Sequence, residues 1–288
     1  VQCVYNQRAQ LGESPVWCAE HNCLYWIDIE GQTFNRFDPS TDHNYSVDTA
    51  IRFGSFALRI NGGFVVATEF GFQLYDLVEN NLKPLTNPED DKPNNRFNDG
   101  RCDRAGRFWA GTMVEKGVQT PEGSLYSLDN NYSCTKKHTG FSLANGLAWS
   151  PNNKIMYFAD TRLKVVWTFD FDLDNGDIFN KRIFIQLTNG DGVPDGATID
   201  VDGCYWLTQP RAGKICRYTP DGKLDTVIEL PIEKPTMCAF GGQNLKTLYV
   251  TTNSHKLTKE EIESQPQAGS LFAVDLESQG IPEPRFRG

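Results

Sequence analysis

The chain has 288 residues and a formal net charge of −9, from 37 acidic against 28 basic side chains with no basic run among them, so nothing in it can follow a phosphate backbone and nucleic acid is not an expected partner. No apolar stretch approaches the roughly 20 residues that span a bilayer, and the N-terminal VQCVYNQRAQ lacks the apolar core of a signal peptide; a cytoplasmic protein with no membrane contact and no obligate protein partner is expected. Eighteen Phe, ten Tyr and six Trp stand beside 25 Gly and 15 Pro, the balance of aromatic strands cut by tight turns, which makes one all-β domain over residues 1–288 the expectation.

Along the chain, Cys18 and Cys23 flank AEHN in what reads as a hairpin, so their thiols face each other across its strands. The eight cysteines are otherwise dispersed without zinc-ribbon spacing, and reduced, packed thiols are expected. At Leu24 the run LYWIDIEGQTFNRFDP sets a pattern: an aromatic strand, a small polar break, then a second strand closing on a turn. The pattern returns at Phe64, Phe108, Met156, Tyr205 and Leu248, at intervals of about 40–50 residues, the length of a four-stranded blade. Turns rich in Asp, Asn, Pro or Gly lead into several copies: DRAGRFW from Asp103, SPNNKIMYF from Ser150, DVDGCYW from Asp200 and GGQNLKTLYV from Gly241. Six such units predict a six-bladed β-propeller. The one helix signal is LTKEEIESQP, with Thr258 as cap and Pro266 as stop.

Four segments place acidic and amide side chains beside glycine: LGESPVW around Glu13, NNRFNDGRCD around Asn98, LANGLAWSP around Asn145 and GVPDGATID around Asp195. They are far apart in sequence, and only the mouth of a propeller's central channel gathers loops from separate blades. Glu13, Asn145 and Asp195 offer only oxygen ligands, the set suited to a hard divalent cation, so a central metal site is expected. In an extended segment Arg96 and Asn98 point to one face and Phe97 to the other, which turns both polar groups to the channel. Asp170, Asp172 and Asp174 in DFDLDNGDIFNK resemble a calcium loop, but Asn175 stands where glycine is required and Lys181 where glutamate is, so a blade-edge turn is expected there. The four histidines lack paired spacing, and no nucleophile elbow or phosphate-cradling loop is present.

At these residues the chain resembles the senescence-marker-protein/regucalcin and gluconolactonase family, which includes luciferin-regenerating enzymes and bacterial sugar lactonases. The likeness runs nearly end to end through GESPVW, NNRFNDGRCD, GRFWAGTM, GSLYSL, NGLAWS, PDG, FGG and QPQAGSLFAV. The resemblance implies a propeller with one divalent metal ion (calcium, zinc, manganese or magnesium) held by Glu13, Asn145 and Asp195. It implies further that Asp195 doubles as general base and that Arg96 and Asn98 bind the oxygens of a small sugar lactone. The implied activity is metal-dependent hydrolysis of an aldonolactone, the alternative being a calcium-binding regulatory propeller without turnover. Mammalian members carry a substrate-contacting glutamate three places after the Met of GTM, where this chain has Lys116 with Glu115 beside it, so both are taken as substrate-binding candidates.

Overall fold

The computed structural model describes residues 1–288 and is all-β apart from one short helix. It divides into two compact units, Val1–Asp48 with Leu187–Pro282, and Thr49–Gln186 with Glu283–Gly288. Six antiparallel four-stranded sheets form the blades of a six-bladed β-propeller, three in each unit.

In chain order, β1 (Gln2–Tyr5) precedes the blade β2 (Gly12–Cys18), β3 (Cys23–Asp28), β4 (Thr33–Asp38) and β5 (His43–Asp48). The second unit follows with β6 (Phe53–Leu58), β7 (Phe64–Thr68), β8 (Gly71–Asp76) and β9 (Asn81–Thr86). Its next blade is β10 (Asn95–Cys102), β11 (Phe108–Val114), β12 (Gly123–Leu128) and β13 (Cys134–Phe141). Its last is β14 (Ala144–Trp149), β15 (Ile155–Asp160), β16 (Val165–Asp172) and β17 (Asp177–Gln186). The first unit resumes with β18 (Ala197–Ile199), β19 (Tyr205–Gln209), β20 (Lys214–Tyr218) and β21 (Leu224–Glu229). The final blade runs β22 (Pro235–Gly241), β23 (Thr247–Thr252), β24 (Leu271–Asp275), and its fourth place is filled by β1, paired to β24. The helix α1 (Lys259–Ser264) lies between β23 and β24, and Thr258 caps it in a capping box with Glu261.

Burial falls outward across each blade. β2, β6 and β14 are buried at every residue, whereas most of β5, β17 and β21 is open to solvent. The aromatic runs that define the sequence repeat are the second strands, β3, β7, β11, β15, β19 and β23. Rings of successive blades interlock: Phe72 of β8 and Phe97 of β10 lie 4.5 Å apart by ring centroids, and Phe72 meets Phe108 of β11 edge-on at 5.9 Å. Cys18 and Cys23 sit directly opposite in the β2–β3 register as buried thiols with no disulfide between them, and burial raises the Cys23 pKa to about 11. Asp170 and Asp172 belong to the end of β16, where the chain turns at Leu173–Gly176 into β17.

Two of the hairpin turns carry more than a turn. Asp103 is fully buried and accepts from Arg107 N, from Arg107 Nε at 2.7 Å and from Trp109 Nε1 at 2.8 Å. In the other unit Asp200, also fully buried, accepts from Cys204 N, Trp206 Nε1 at 2.9 Å and Arg217 Nε at 2.8 Å. The same spacing recurs because one carboxylate both closes a four-residue turn and satisfies the indole N–H of a tryptophan that burial would otherwise leave unpaired.

Removing that carboxylate leaves a buried indole donor unpaired and takes one acceptor from the arginine, which keeps Asp202 and Asp225 in the case of Arg217 and the Leu173 and Asp174 carbonyls in the case of Arg107, so Asp200→Ala and Asp103→Ala should each lower unfolding free energy by about 2 kcal/mol. Urea titration checks this, and a loss under about 1 kcal/mol for both variants would show that water takes over the carboxylate's bonds.

Candidate functional site

The inner strands are not regular. In β2 the pairing with β3 slips between Glu13 and Val16, in β10 the pairing with β11 slips between Phe97 and Gly100, and in β14 the pairing with β15 slips between Asn145 and Ala148. Each slip falls at one of the polar residues singled out from the sequence. A bulge of this kind leaves an extra residue out of the ladder and re-aims its side chain. The residue after Glu13 and the residue after Asn145 both take left-handed backbone, Ser14 at φ 48° and Gly146 at φ 62°. Glycine adopts that conformation freely, whereas serine does so at a cost of about 1 kcal/mol, a sign that the kink at Glu13 is held by its surroundings.

In the first unit Glu13 is buried, and its Oε2 accepts from Ser14 N at 3.2 Å. Asp28, at the end of β3, accepts from Gln10 N, Leu11 N and Gly31 N, each at 2.8 Å, and so fixes the segment entering β2. Asp195 is half-buried in the loop before β18, with its N–H on Thr208 O at 3.1 Å. Gly196 beside it admits no side chain, since a Cβ there would lie 2.3 Å from Met237 Cγ. Thr236 connects the two segments: its Oγ1 donates to Gly12 O, and its carbonyl accepts from Gly196 N at 2.8 Å. The backbones flanking Glu13 and Asp195 are thereby tied through one buried threonine.

The second unit holds the other candidates in one continuous polar chain. Arg52 grips Glu115 with both terminal nitrogens at 2.7 Å and also reaches Glu69 Oε2 at 2.9 Å. Glu115 Oε1 accepts in turn from Arg96 Nε at 2.7 Å. Arg96 Nη1 donates to Asn98 Oδ1 at 2.9 Å, and Asn98 Nδ2 donates to Asn145 Oδ1 at 3.2 Å and to Ala144 O at 3.0 Å. Asn145 Nδ2 ends the run on Thr161 Oγ1 at 2.7 Å. Phe97, between Arg96 and Asn98, turns the opposite way into the core against Phe72, as the strand alternation predicts. Asp160, at the end of β15, accepts from Ser142 N at 2.8 Å and anchors the entry to β14 as Asp28 does for β2.

Charge balance follows from these contacts. Burial would raise the Glu115 carboxyl, but hydrogen bonds and charge from Arg52 and Arg96 outweigh it and hold the pKa below the usual range. Arg162 differs from Arg52 and Arg96 in having no carboxylate partner: Nη1 donates to Ser142 O at 2.7 Å and Nη2 to Val114 O at 3.3 Å. Burial lowers its pKa and the Arg96 charge adds to the effect, against the pull of Asp160. Asp99 is inside β10 and buried, with Oδ2 accepting from Leu147 N and its pKa raised by desolvation. Lys116 is exposed, its N–H on Asn94 O at 3.3 Å, and it is the second residue of the strandless segment between β11 and β12. A cavity of about 200 Å³ opens beside Glu69, Asn95 and Arg96.

The structure thus brings Arg96, Asn98, Glu115 and Asn145 into contact within one unit and ties the Glu13 and Asp195 segments within the other. Arg52, Glu69, Thr161 and Arg162 escape a reading by motif. Arg52 was nonetheless findable, because IRFGSF before β6 repeats the Arg-Phe of NRFNDG in β10 one blade earlier. For a divalent cation the donor set is suitable: two carboxylates, and an asparagine whose amide nitrogen is committed to Thr161 and whose Oδ1, with one lone pair on Asn98 Nδ2, has its second lone pair for a metal. No group of three or more His, Cys, Asp or Glu side chains is placed to hold a metal on its own, so any such site draws on the amide as well.

The model of the SMP-30/Gluconolactonase/LRE-like region matches residues 11–254. Regucalcin of Xenopus laevis is 36% identical over 294 residues, covering 100% of this chain and 98% of that protein. A 6-deoxy-6-sulfogluconolactonase of Pseudomonas putida is 36% identical, covering 100% and 99%. A crystal structure of regucalcin from Agrobacterium tumefaciens, described as a calcium-binding protein, superposes with a TM-score of 0.94 at 26% identity over 99% of this chain and 97% of that one.

A carboxyl whose pKa is lowered by folding contributes stability above its unfolded value, near 4.3 for glutamate, and loses it as pH falls through the lower folded value. Glu115→Gln should therefore melt below the parent protein at neutral pH, and the gap should close as the pH is taken below about 4. Thermal scans across that range are the check; a gap independent of pH would mean that Glu115 contributes packing and no charge.

Proposed function

Because the chain belongs to the SMP-30/gluconolactonase/LRE-like family, we propose that it is a sugar lactonase, acting as one 288-residue propeller domain and using one divalent ion (calcium, zinc, manganese or magnesium) to open an aldonolactone of the gluconolactone type. Glu13, Asn145 and Asp195 would hold that ion. The observation that carries the reading is the hydrogen-bonded run from Arg96 through Asn98 to Asn145, which links groups suited to sugar oxygens with an oxygen donor suited to a metal. A bound cation would polarise the lactone carbonyl and stabilise the oxyanion formed on attack.

The remaining work falls to side chains. Arg96 and Asn98, buried and rigidly paired, bind hydroxyl or carbonyl oxygens of the sugar, with Glu115 and Lys116 beside them. Half-buried Asp195 keeps contact with solvent and takes a proton from the attacking water as its oxygen bonds to the carbonyl carbon. The ring C–O bond then breaks, the ring oxygen leaves as a hydroxyl after receiving that proton, and the product is the open aldonic acid. No serine, cysteine or histidine nucleophile is needed.

Hydrolysis of a lactone panel by chelator-treated protein, restored with each ion in turn, tests the proposal. Recovery of turnover with at least one ion supports it, and ion binding without hydrolysis of any lactone would favour a calcium-binding protein instead. Asp195→Asn should lower kcat by about 10² or more. Thr161→Val, which frees the Asn145 amide to rotate, should weaken metal affinity by about tenfold or more; unaltered affinity would remove Asn145 from the ligand set.

A further inference from the structure

Asp99 is a buried carboxylate with no assigned part in binding the lactone or the ion. It falls in the slip of β10, where Phe97 faces Thr112 and Gly100 faces Ala110, so β10 carries one residue more than β11 over that stretch. An extra residue of this kind turns consecutive side chains out of strict alternation, and here both Asn98 and Asp99 reach the neighbouring inner strand β14. Asn98 Nδ2 donates to Ala144 O at 3.0 Å and to Asn145 Oδ1 at 3.2 Å. Asp99 Oδ2 accepts from Leu147 N at 3.2 Å, and the Gly146 backbone adds a hydrogen bond to the same carboxylate. Arg101 Nη1 donates to Leu147 O at 3.3 Å, and its Nε lies 2.9 Å from Glu283 Oε1. On the other flank β6 presses against the slip: a Cβ at Gly54 would stand 2.4 Å from Phe97 O, so β10 has no room to retreat from β14.

The slip in β14 shows why these contacts are needed. Gly146 and Leu147 lie between the paired residues Asn145 and Ala148, and Gly146 takes φ 62°. Leu147 is fully buried, so its N–H and C=O require partners where the ladder to β15 is interrupted; Asp99 takes the first and Arg101 the second. We propose that Asp99 is a positioning residue for Asn145: together with Asn98 it grips the chain on both sides of that asparagine and so holds the kink of β14 that presents Oδ1 to a metal. Without it, β14 regains the lost hydrogen bonds by closing the bulge, and closing the bulge re-aims Asn145. Burial raises the Asp99 pKa against the pull of Arg101 and of these backbone bonds. What the task requires is an acceptor oxygen of the right reach, which the amide of asparagine also offers without a charge. The inference rests on the metal-ligand reading for its effect on a cation, but not for its effect on β14.

The test compares Asp99→Ala, Asp99→Asn and Asn145→Ala by calorimetric binding of manganese and by crystal structures of the metal-free proteins. Asp99→Ala should weaken binding by about tenfold or more, the usual effect of losing a group that orients a ligand, and its metal-free structure should show the Asn98–Asn145 contact broken. Asp99→Asn should stay within about threefold of the parent, well short of that loss, with Gly146 still left-handed and the contact intact. An Asp99→Ala structure that keeps Gly146 left-handed and Asn98 on Asn145 overturns the proposal. An Asp99→Asn variant that loses as much affinity as Asp99→Ala also overturns it, and assigns Asp99 a role through its charge. A rearranged β14 in Asp99→Ala, with affinity unaltered both there and in Asn145→Ala, upholds the positioning of Asn145 and instead removes Asn145 from the ligand set. Should Asp99→Ala fail to fold, Asp99→Ser, whose oxygen is one bond short of the reach to Leu147 N, takes its place under the same outcomes.

Discussion

Everything distinctive about this molecule depends on a conflict in the inner strands. A strand packed on both faces has no cheap place for a carboxylate or an amide, yet Glu13, Asn98 and Asn145 occupy such strands with 9% exposure or less. The conflict is resolved by breaking the ladder at those residues. A register slip at each, with left-handed backbone after Glu13 and Asn145, takes the polar side chain out of the alternation that would bury it among the aromatic rings. The kinks are themselves held by carboxylates on the adjacent second strands, Asp28 before Glu13 and Asp160 before Asn145.

Electrostatics then does what hydrophobic packing cannot. The run from Glu69 through Arg52, Glu115, Arg96, Asn98 and Asn145 to Thr161 gives each member a partner and sets the direction of both asparagine amides. In a low-dielectric setting such a chain rigidifies when fully satisfied and is costly when interrupted. Precise orientation of a few groups is what a lactone-opening site needs, because the chemistry relies on placement and charge stabilisation more than on a covalent intermediate.

The fold was legible because its signal is local and repeated. Aromatic second strands and Asp- or Gly-containing turns recur at a blade's length, and the capping box at Thr258 is a matter of four residues. The pairing of β1 with β24 was not legible, since VQCVYNQRAQ carries no mark of a partner more than 260 residues away. At the site, the alternation of Arg96, Phe97 and Asn98 could be read from strand geometry alone. Thr161 and Arg162 could not: their roles come from a turn after β15 meeting residues on β14 and β11, contacts that no short motif encodes. Asp103 and Asp200 read as ordinary turn formers until the indole of the tryptophan six residues on is seen to depend on each of them.

The central claim is that Glu13, Asn145 and Asp195 serve one metal ion. An anomalous-difference map from crystals grown with manganese tests it most directly. The account predicts a single strong peak with an oxygen of each of the three side chains within about 2.6 Å. A peak ligated by other residues, or none at a manganese concentration that supports hydrolysis, would contradict it.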